Sequence, residues 1–147
     1  MMDDVFGIPV SVGTISQLEQ ATTEAVAAPV EEARTCVHAQ RVAHLAETRW
    51  RQGSQQGWLW VAVTSVVTVF VVRLSRGADV ARALLGEAFS GILVTDRYSA
   101  YNGYPVRGRQ VCWAQLLRDF EAMRSRGGRS QELGEALLAQ AHQMFRW

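Results

Sequence analysis

One carboxylate in the sequence stands where α/β proteins place their chemistry. The apolar and β-branched run Ile92–Thr95 predicts a short buried strand, and Asp96 follows it directly. A carboxylate at the exit of a buried strand is costly unless a cation meets it, and ligands of open α/β sheets bind at that exit. Asp96 is therefore a candidate metal ligand and catalytic residue. The alternative is that Asp96 only caps the turn, or the short helix, that follows through Ser99.

The elements around Asp96 predict an α/β fold. Apolar and β-branched segments predict five strands, and an amphipathic stretch ahead of the fourth predicts a helix. The strands are residues 36–50 (centred on 42–48), 58–64, 66–74, 92–95 and 110–114, and the helix is residues 78–89. A hairpin, then a helix, then a strand implies a mixed sheet with a right-handed crossover. Two further amphipathic helices are predicted, one from Trp113 to Phe120 and one over residues 131–145.

The apolar run 58–74 has a second interpretation as a transmembrane helix. Trp58 and Trp60 at one edge and Arg73 at the other would suit the membrane interfaces. The run is shorter than the roughly 20 residues that a span needs, and β-branched residues dominate it. A hairpin of two strands, with a tight turn near Ser65, therefore fits better. A small membrane protein anchored by this run stays as the alternative, which soluble expression without detergent would eliminate.

The composition indicates a globular protein in a reduced compartment. With 147 residues, 48% of them hydrophobic, the chain can bury a core, and its formal net charge of +1 gives no overall field that favours nucleic acid. Cys36 and Cys112 lie far apart, and the acidic start is followed by no apolar run, so we expect a cytoplasmic protein without a signal peptide. We divide the chain into a helical N-terminal segment, residues 1–35, and a main domain, residues 36–147.

The N-terminal segment resembles part of a helix-turn-helix. Ser11 or Thr14 is placed to cap a short helix through Leu18, and Gly13 is suited to a tight turn. The stretch nevertheless lacks the Lys and Arg residues that contact DNA phosphates. The residues that follow predict an acidic, Ala-rich helix interrupted near Pro29. We therefore expect this segment to pack against the main domain rather than to read DNA by itself.

The order of the predicted strands is that of an RNase H-like sheet. In that architecture the first strand lies beside the fourth, so a carboxylate on each strand lies a few ångströms from the other and suits Mg²⁺. Two such ions, about 3.5–4 Å apart, activate a water or a 3′-hydroxyl and stabilise the leaving oxygen of a phosphodiester. Asp96 ends the fourth strand, where the second carboxylate is expected.

Five motifs, in order along the chain, resemble one family. They are Glu-Thr-Arg-Trp-Arg at 47–51, Gly-Trp-Leu-Trp-Val-Ala at 57–62, Ser-Arg-Gly at 75–77, Leu-Val-Thr-Asp-Arg-Tyr-Ser-Ala-Tyr at 93–101 and Cys-Trp-Ala-Gln-Leu-Leu-Arg-Asp-Phe at 112–120. Over nearly its whole length the chain is similar to the bacterial insertion-sequence transposases of the sixty-six group, which use an Asp-Asp-Glu triad. The resemblance also covers the stretch 7–16, which is similar to the segment ahead of the family's catalytic domain.

The resemblance carries several expectations for this chain. It implies an α/β fold with an RNase H-like mixed five-stranded sheet, flanking helices and a short helical N-terminal segment. It implies transposition of DNA with Mg²⁺ or Mn²⁺ as cofactor and Asp96 as a catalytic metal ligand. The expected partners are DNA, as element ends and target, and a second copy or a full-length transposase. The expected location is the cytoplasm, at the nucleoid when the protein is bound to DNA.

Three departures from the family pattern bear on activity. The family's first catalytic Asp falls on Ala46, which has no oxygen for a metal, and strand alternation points the adjacent Glu47 to the opposite face. Gln115 occupies the place of a family His and cannot take up a proton near neutral pH. The third carboxylate, a Glu, is expected beyond a helical insertion, which the chain does not clearly reach. Glu132 and Glu135 lie on a predicted helix, and neither is assigned.

These departures predict a truncated or decayed transposase that keeps the fold and loses most phosphoryl transfer. The alternative is a non-catalytic DNA-binding or regulatory fragment that competes with a full transposase. Surface arginines would then contact phosphates. The candidates are Arg73, Arg76, Arg97, Arg107, Arg109, Arg118, Arg124, Arg126 and Arg129. Tyr98 and Tyr101 are expected to pack over the strand end, contact with DNA being the alternative, and Trp58 and Trp60 are expected to pack on the sheet without a functional role.

Overall fold

A five-stranded mixed sheet forms the centre of the molecule. The structure, a computed structural model, describes residue 7 and residues 10–146. The strands are β1 (Val42–Gln52), β2 (Gln55–Val63), β3 (Thr68–Arg73), β4 (Ile92–Thr95) and β5 (Arg109–Val111). Their order is β3-β2-β1-β4-β5, in which β2 is antiparallel to both β1 and β3, and β4 is parallel to both β1 and β5. The first strand therefore lies beside the fourth, and the predicted RNase H-like α/β architecture is confirmed.

The long apolar run folds as the predicted hairpin of β2 and β3. Thr64 closes the turn, because its hydroxyl accepts a hydrogen bond from the Val67 N–H at 3.0 Å and donates one to the Val67 carbonyl at 2.9 Å. The pairing of the two strands begins beside the turn, where Val63 faces Thr68, and ends where Trp58 faces Arg73. Among residue 7 and residues 10–146, no helix has the length and apolar character needed to cross a membrane.

In the part of the chain that the structure describes, four α-helices accompany the sheet. They are α1 (Val12–His38), α2 (Ala78–Leu85), α3 (Trp113–Arg124) and α4 (Gly128–Met144), with 3₁₀ turns at Ser99–Tyr101 and Val106–Gly108. The two predicted helices after β5 are thus present, the last of them beginning three residues earlier than predicted. The strand predicted over residues 36–50 begins only at Val42, because the residues before it complete α1.

The turn and second helix of a helix-turn-helix, which this stretch resembles in sequence, are not formed, because α1 is one continuous helix. Ser11 caps it as predicted, its hydroxyl accepting a hydrogen bond from the Thr14 N–H at 3.0 Å, but Gly13 lies inside the helix and makes no turn. Pro29 does not interrupt the helix either. Proline has no backbone N–H, so one carbonyl in the preceding turn of α1 lacks its helical hydrogen-bond partner. Residues 11–32 are exposed, so this carbonyl faces water. Residues 8 and 9 lie outside the described part of the chain, and the division at residue 35, which α1 crosses, stays a prediction.

Two element ends differ from their predictions for local reasons. Helix α2 stops at Leu85 rather than at residue 89, because Gly86 leaves the helix with φ 76° and ψ 151°, a backbone conformation that favours glycine. Strand β5 ends at Val111 rather than at residue 114. Cys112 has already become the N-cap of α3, and its N–H donates to the Thr95 carbonyl at 2.6 Å.

One face of the sheet carries the core, and this choice decides where the candidate site lies. Helix α2 and the end of α1 pack on that face, which buries Trp60, Leu85, Leu93 and Val37 completely. Successive residues of a strand point to opposite faces. Along β1, Ala43 and Leu45 therefore point into the core, and His44 and Ala46 point outward.

Helices α3 and α4 form a tight hairpin of their own. They approach most closely at Gly134, where an added Cβ atom would lie 2.5 Å from the Arg124 backbone nitrogen and 2.7 Å from the Phe120 carbonyl oxygen. The Trp113 and Phe145 rings meet edge to face at the open end, with centroids 5.3 Å apart. The hairpin joins the sheet through the start of α3, directly after β5.

Candidate active site

Asp96 lies at the exit of β4 and shapes the turn there. Its Oδ1 accepts a hydrogen bond from the Tyr98 N–H at 2.8 Å, so Asp96 does perform the capping role that the sequence left open. Its backbone carbonyl accepts bonds from the Thr95 hydroxyl at 2.8 Å and from Arg109 Nη2 at 3.3 Å. No residue in the described part of the chain hydrogen-bonds to Oδ2, so this half-buried carboxylate keeps one oxygen for a ligand.

The register of β1 and β4 points position 46 towards the exit of β4. The parallel strands pair Ala43 with Leu93 and His44 with Val94, and the same register continued two residues past the last pair would set Ala46 opposite Asp96, which follows the end of β4. The Ala46 side chain is exposed on the face away from the core. A carboxylate at this position would meet Asp96, whereas a methyl group offers no ligand atom.

The neighbours of Ala46 on its other side are apolar. The antiparallel registers align Ala46 with Val61 and then with Phe70, so these three residues form one row across β1, β2 and β3. Phe70 is 63% exposed. Hydrocarbon groups therefore occupy the side of position 46 that faces away from Asp96.

Glu47 points into the opposite face and is fully engaged there. Its side chain is 1% exposed, and its Oε1 accepts hydrogen bonds from Arg76 Nε at 3.0 Å and from Nη2 at 2.7 Å. The Tyr101 hydroxyl donates to the other oxygen, Oε2. Burial, and then this bond to Glu47, raise the pKa of Tyr101 above its ordinary value of 10.0. Glu47 therefore does not replace the carboxylate missing at Ala46.

A cluster of motif residues surrounds this ion pair, and the sequence interpretation missed it. The Arg76 guanidinium lies between two aromatic rings, 4.5 Å from the Trp58 centroid and 3.8 Å from that of Tyr98. Tyr98 in turn meets Tyr101 edge to face, at 6.3 Å. We call Glu47, Trp58, Arg76, Tyr98 and Tyr101 the Arg76 cluster. Glu47 itself was the available signal for this cluster in the sequence. It continues the alternating series of inward-facing residues of β1, and a carboxylate that faces inward needs a cation as partner.

The remaining predicted site residues do not converge on Asp96. Gln115 is half-buried in the first turn of α3. Asp119, one turn further, binds Arg97, so this carboxylate near the Asp96 turn already has a cationic partner. Glu132 and Glu135 are exposed on α4, and Glu135 accepts a bond from the neighbouring Gln131 amide at 2.9 Å.

The residues present do not fit a two-ion centre. Asp96 offers one free oxygen, Ala46 offers none, and both oxygens of Glu47 are bonded on the other face. Within the residues that the structure describes, no group of three or more His, Cys, Asp or Glu side chains is placed to hold a metal ion. Mg²⁺ requires near-octahedral oxygen ligands, and two-ion chemistry requires ligands shared between the ions.

Exposed arginines collect at the end of the sheet where Asp96 lies. The register places Arg49 of β1, Trp58 of β2 and Arg73 of β3 in one row, with Arg51 two residues beyond Arg49. Arg49, Arg51 and Arg73 are exposed, and Trp50 beside them is 45% exposed. The sequence interpretation did not include Arg49 and Arg51. Several arginines that it did include already have partners: Arg76 binds Glu47, Arg97 binds Asp119, Arg109 binds Asn102 and Arg124 binds Glu121.

Comparison with known proteins identifies the family over the full length of the chain. The family described as Transposase IS66 family matches residues 1–147. A search of curated proteins and a search of solved structures gave no significant match. The family match agrees with the strand order and with the five motifs, four of which supply the Arg76 cluster. The chain therefore belongs to the IS66 family of transposases.

Proposed function

We propose that this chain is a transposase domain that keeps the family fold but has lost most of its metal-dependent phosphoryl transfer on DNA. The observation that supports this proposal is the parallel register of β1 and β4, which, continued past its last pair of His44 with Val94, would set the methyl group of Ala46 opposite Asp96. Asp96 is then the one remaining catalytic metal ligand of the two that these strands would supply. One free carboxylate oxygen binds Mg²⁺ or Mn²⁺ weakly, because both ions need several oxygen ligands.

Calorimetric titration with Mn²⁺ tests the missing ligand directly. We expect weak binding to the native chain, no change with Asp96→Ala, and affinity at least tenfold higher with Ala46→Asp. Ala46→Asn is the matched control, because it adds the same volume without the charge and should gain much less. Tight binding to the native chain that Asp96→Ala abolishes would overturn the proposal, since another carboxylate would then replace residue 46.

Nicking of supercoiled plasmid in Mg²⁺ or Mn²⁺ tests the chemistry. The native chain should nick no faster than Asp96→Ala, and Ala46→Asp should nick faster than both. An Ala46→Asp, Asp96→Ala double variant should lose the gain, which separates the candidate site from a contaminating nuclease. Robust native nicking that depends on Asp96 contradicts catalytic impairment.

A second candidate function is DNA binding without catalysis, and the distribution of charge favours it. Residues 1–35 carry one arginine and six acidic residues, a net charge of −5, whereas residues 36–147 carry 14 arginines and eight acidic residues, a net charge of +6. The overall charge of +1 therefore conceals a basic domain. The row of Arg49 and Arg73, with Arg51 beyond it, has no acidic member and suits a phosphate backbone.

Anisotropy with a labelled duplex of arbitrary sequence tests this function. Neutralising Arg49→Gln and Arg51→Gln together should weaken binding several-fold and lower the slope of log affinity against log salt by about one to two, since each lost phosphate contact removes about 0.9. Arg82→Gln, an exposed arginine on α2, is the control and should change both much less. An effect of Arg82→Gln about half as large, in proportion to the one charge it removes against two, would indicate binding through general charge.

A further inference from the structure

We propose that Arg76 is a positioning residue for Asp96, one that holds the segment 96–101 against the end of β1 without help from a metal ion. This inference rests on the proposed function only in taking Asp96 as the remaining metal ligand. The catalytic motifs of this chain would then include groups that touch neither metal nor DNA. Their role is to keep the Asp96 carboxylate beside position 46.

A continuous set of contacts connects Arg76 to Asp96. The Arg76 guanidinium is fixed on one edge by Glu47 and on one face by the Tyr98 ring, 3.8 Å away. Trp58 packs on its other side at 4.5 Å, so the planar group cannot shift without losing a ring contact. The backbone N–H of Tyr98 then donates to Asp96 Oδ1 at 2.8 Å. Movement of the Tyr98 ring would therefore change the orientation of the Asp96 carboxylate.

The far end of the same segment is fastened to the same carboxylate. Tyr101 is completely buried, and its hydroxyl donates to Glu47 Oε2 while Arg76 binds Oε1. One buried carboxylate of β1 thus holds both ends of 96–101, through Arg76 and Tyr98 at the start and through Tyr101 at the finish. None of these contacts uses Asp96 Oδ2.

The planar shape of the arginine side chain explains why another cation could not take the place of Arg76. A guanidinium is planar, stacks between rings and presents several N–H donors at fixed angles, whereas an ammonium is a compact, strongly hydrated charge. Arg76→Lys keeps the positive charge beside Glu47 but removes the flat group that Trp58 and Tyr98 enclose. We therefore expect Arg76→Lys to loosen the segment 96–101 while the sheet stays folded.

Hydrogen exchange by mass spectrometry on the full chain measures this loosening. Arg76→Lys should raise the exchange rate of amides in 97–104 at least tenfold and leave those of 59–72 unchanged. Arg82→Lys is the matched control and should change neither region. Tyr98→Leu should behave like Arg76→Lys, whereas Tyr98→Phe, which keeps the ring, should behave like the native chain. Unchanged exchange in 97–104, or an equal rise throughout the sheet, would overturn the assignment.

A metal titration in the Ala46→Asp background supplies a readout that general stability does not move. Adding Arg76→Lys should lower the Mn²⁺ affinity of Ala46→Asp several-fold, and adding Arg82→Lys should not. If Ala46→Asp itself gains no Mn²⁺ affinity, the proposed account of the missing ligand fails, and hydrogen exchange still decides the role of Arg76. Equal Mn²⁺ affinity with and without Arg76→Lys contradicts positioning.

Discussion

Residues 46 and 47 are adjacent in sequence but belong to different parts of the molecule. Ala46 is exposed on one face of β1, and Glu47 is buried on the opposite face with Arg76 and Tyr101. Strand alternation separates the two roles. A change at position 46 should therefore leave the Arg76 cluster intact, whereas a change at position 47 should disturb that cluster and, through Tyr98, the orientation of the Asp96 carboxylate.

Removing Glu47 should destabilise the fold strongly. Glu47→Ala leaves the buried Tyr101 hydroxyl without its partner, which costs about 1–3 kcal/mol, whereas the Arg76 side chain, 36% exposed, turns to water. Urea unfolding followed by circular dichroism measures the change. Glu121→Ala removes a partner of Arg124 in an exposed pair and should cost less than about 0.5 kcal/mol. Similar losses for both variants would show that burial of Glu47 contributes little.

Because of Tyr101, the free energy of unfolding should decrease above pH 10. Its pKa is raised above 10.0 by burial and by the bond to Glu47, so the folded state keeps the proton that the unfolded chain releases above pH 10. The unfolded state then binds fewer protons, and stability drops by about 1.4 kcal/mol per pH unit for this group. Burial also raises the pKa of Tyr104, so the native curve contains both contributions.

The variant Tyr101→Phe isolates the first of these contributions. It lacks the ionisable hydroxyl, so its unfolding free energy should fall less steeply above pH 10. The gap between the native chain and Tyr101→Phe should stay constant from pH 7 to 9 and narrow above pH 10. Parallel curves across that range would mean that the Tyr101 pKa is not raised in the folded state.

At the scale of elements, the sequence predicts the strand order and most of the helices, but it does not predict the residues at which these elements begin and end. The hairpin of β2 and β3 was predictable from its β-branched residues, and the crossover through α2 brought β4 beside β1. Pro29 and Gly86 illustrate the limits. Pro29 is tolerated because α1 is solvent-exposed there. Gly86 ends α2, although the helical spacing of apolar residues continues beyond it. The Arg76 cluster was hidden because its hydrogen bonds join residues 29 and 54 positions apart.

The hairpin of α3 and α4 should depend on one glycine. Gly134→Ala would place a methyl group 2.5 Å from the Arg124 nitrogen, which forces the helices apart and should cost about 2 kcal/mol. Gly13→Ala makes the same change on α1, where the nearest atom is 3.7 Å away, and should not lower stability. Thermal unfolding of the two variants provides the comparison. No loss with Gly134→Ala would mean that the hairpin can open freely.

At the scale of the whole molecule, charge divides along the chain. The acidic residues Glu19, Glu24, Glu31 and Glu32 lie on α1, most of which is exposed, and 14 of the 15 arginines lie in residues 36–147. Such a molecule presents one end that repels DNA and another that attracts it. The net charge of +1 is therefore a poor guide to the behaviour of either part.

Neutralising the acidic helix should strengthen DNA binding. Changing those four glutamates to Gln raises the net charge from +1 to +5 and should raise affinity for a duplex several-fold at low salt. The gain should shrink above about 0.1 M salt, where screening acts within about 10 Å. Gln17→Ala on the same helix keeps the charge and should leave the affinity unchanged. Equal affinity of the four-fold variant and the native chain at every salt concentration contradicts this division.

The fastening of the Asp96 segment by Glu47, Arg76 and Tyr101 also bears on how such a protein persists in a host. These contacts need no metal ion, so an alanine at position 46 leaves this edge of the fold intact. Cellular proteases act on the fraction of a chain that is unfolded. Under the proposed function, a chain with alanine at position 46 would therefore survive proteolysis as well as a relative with a carboxylate there, whatever its catalytic activity.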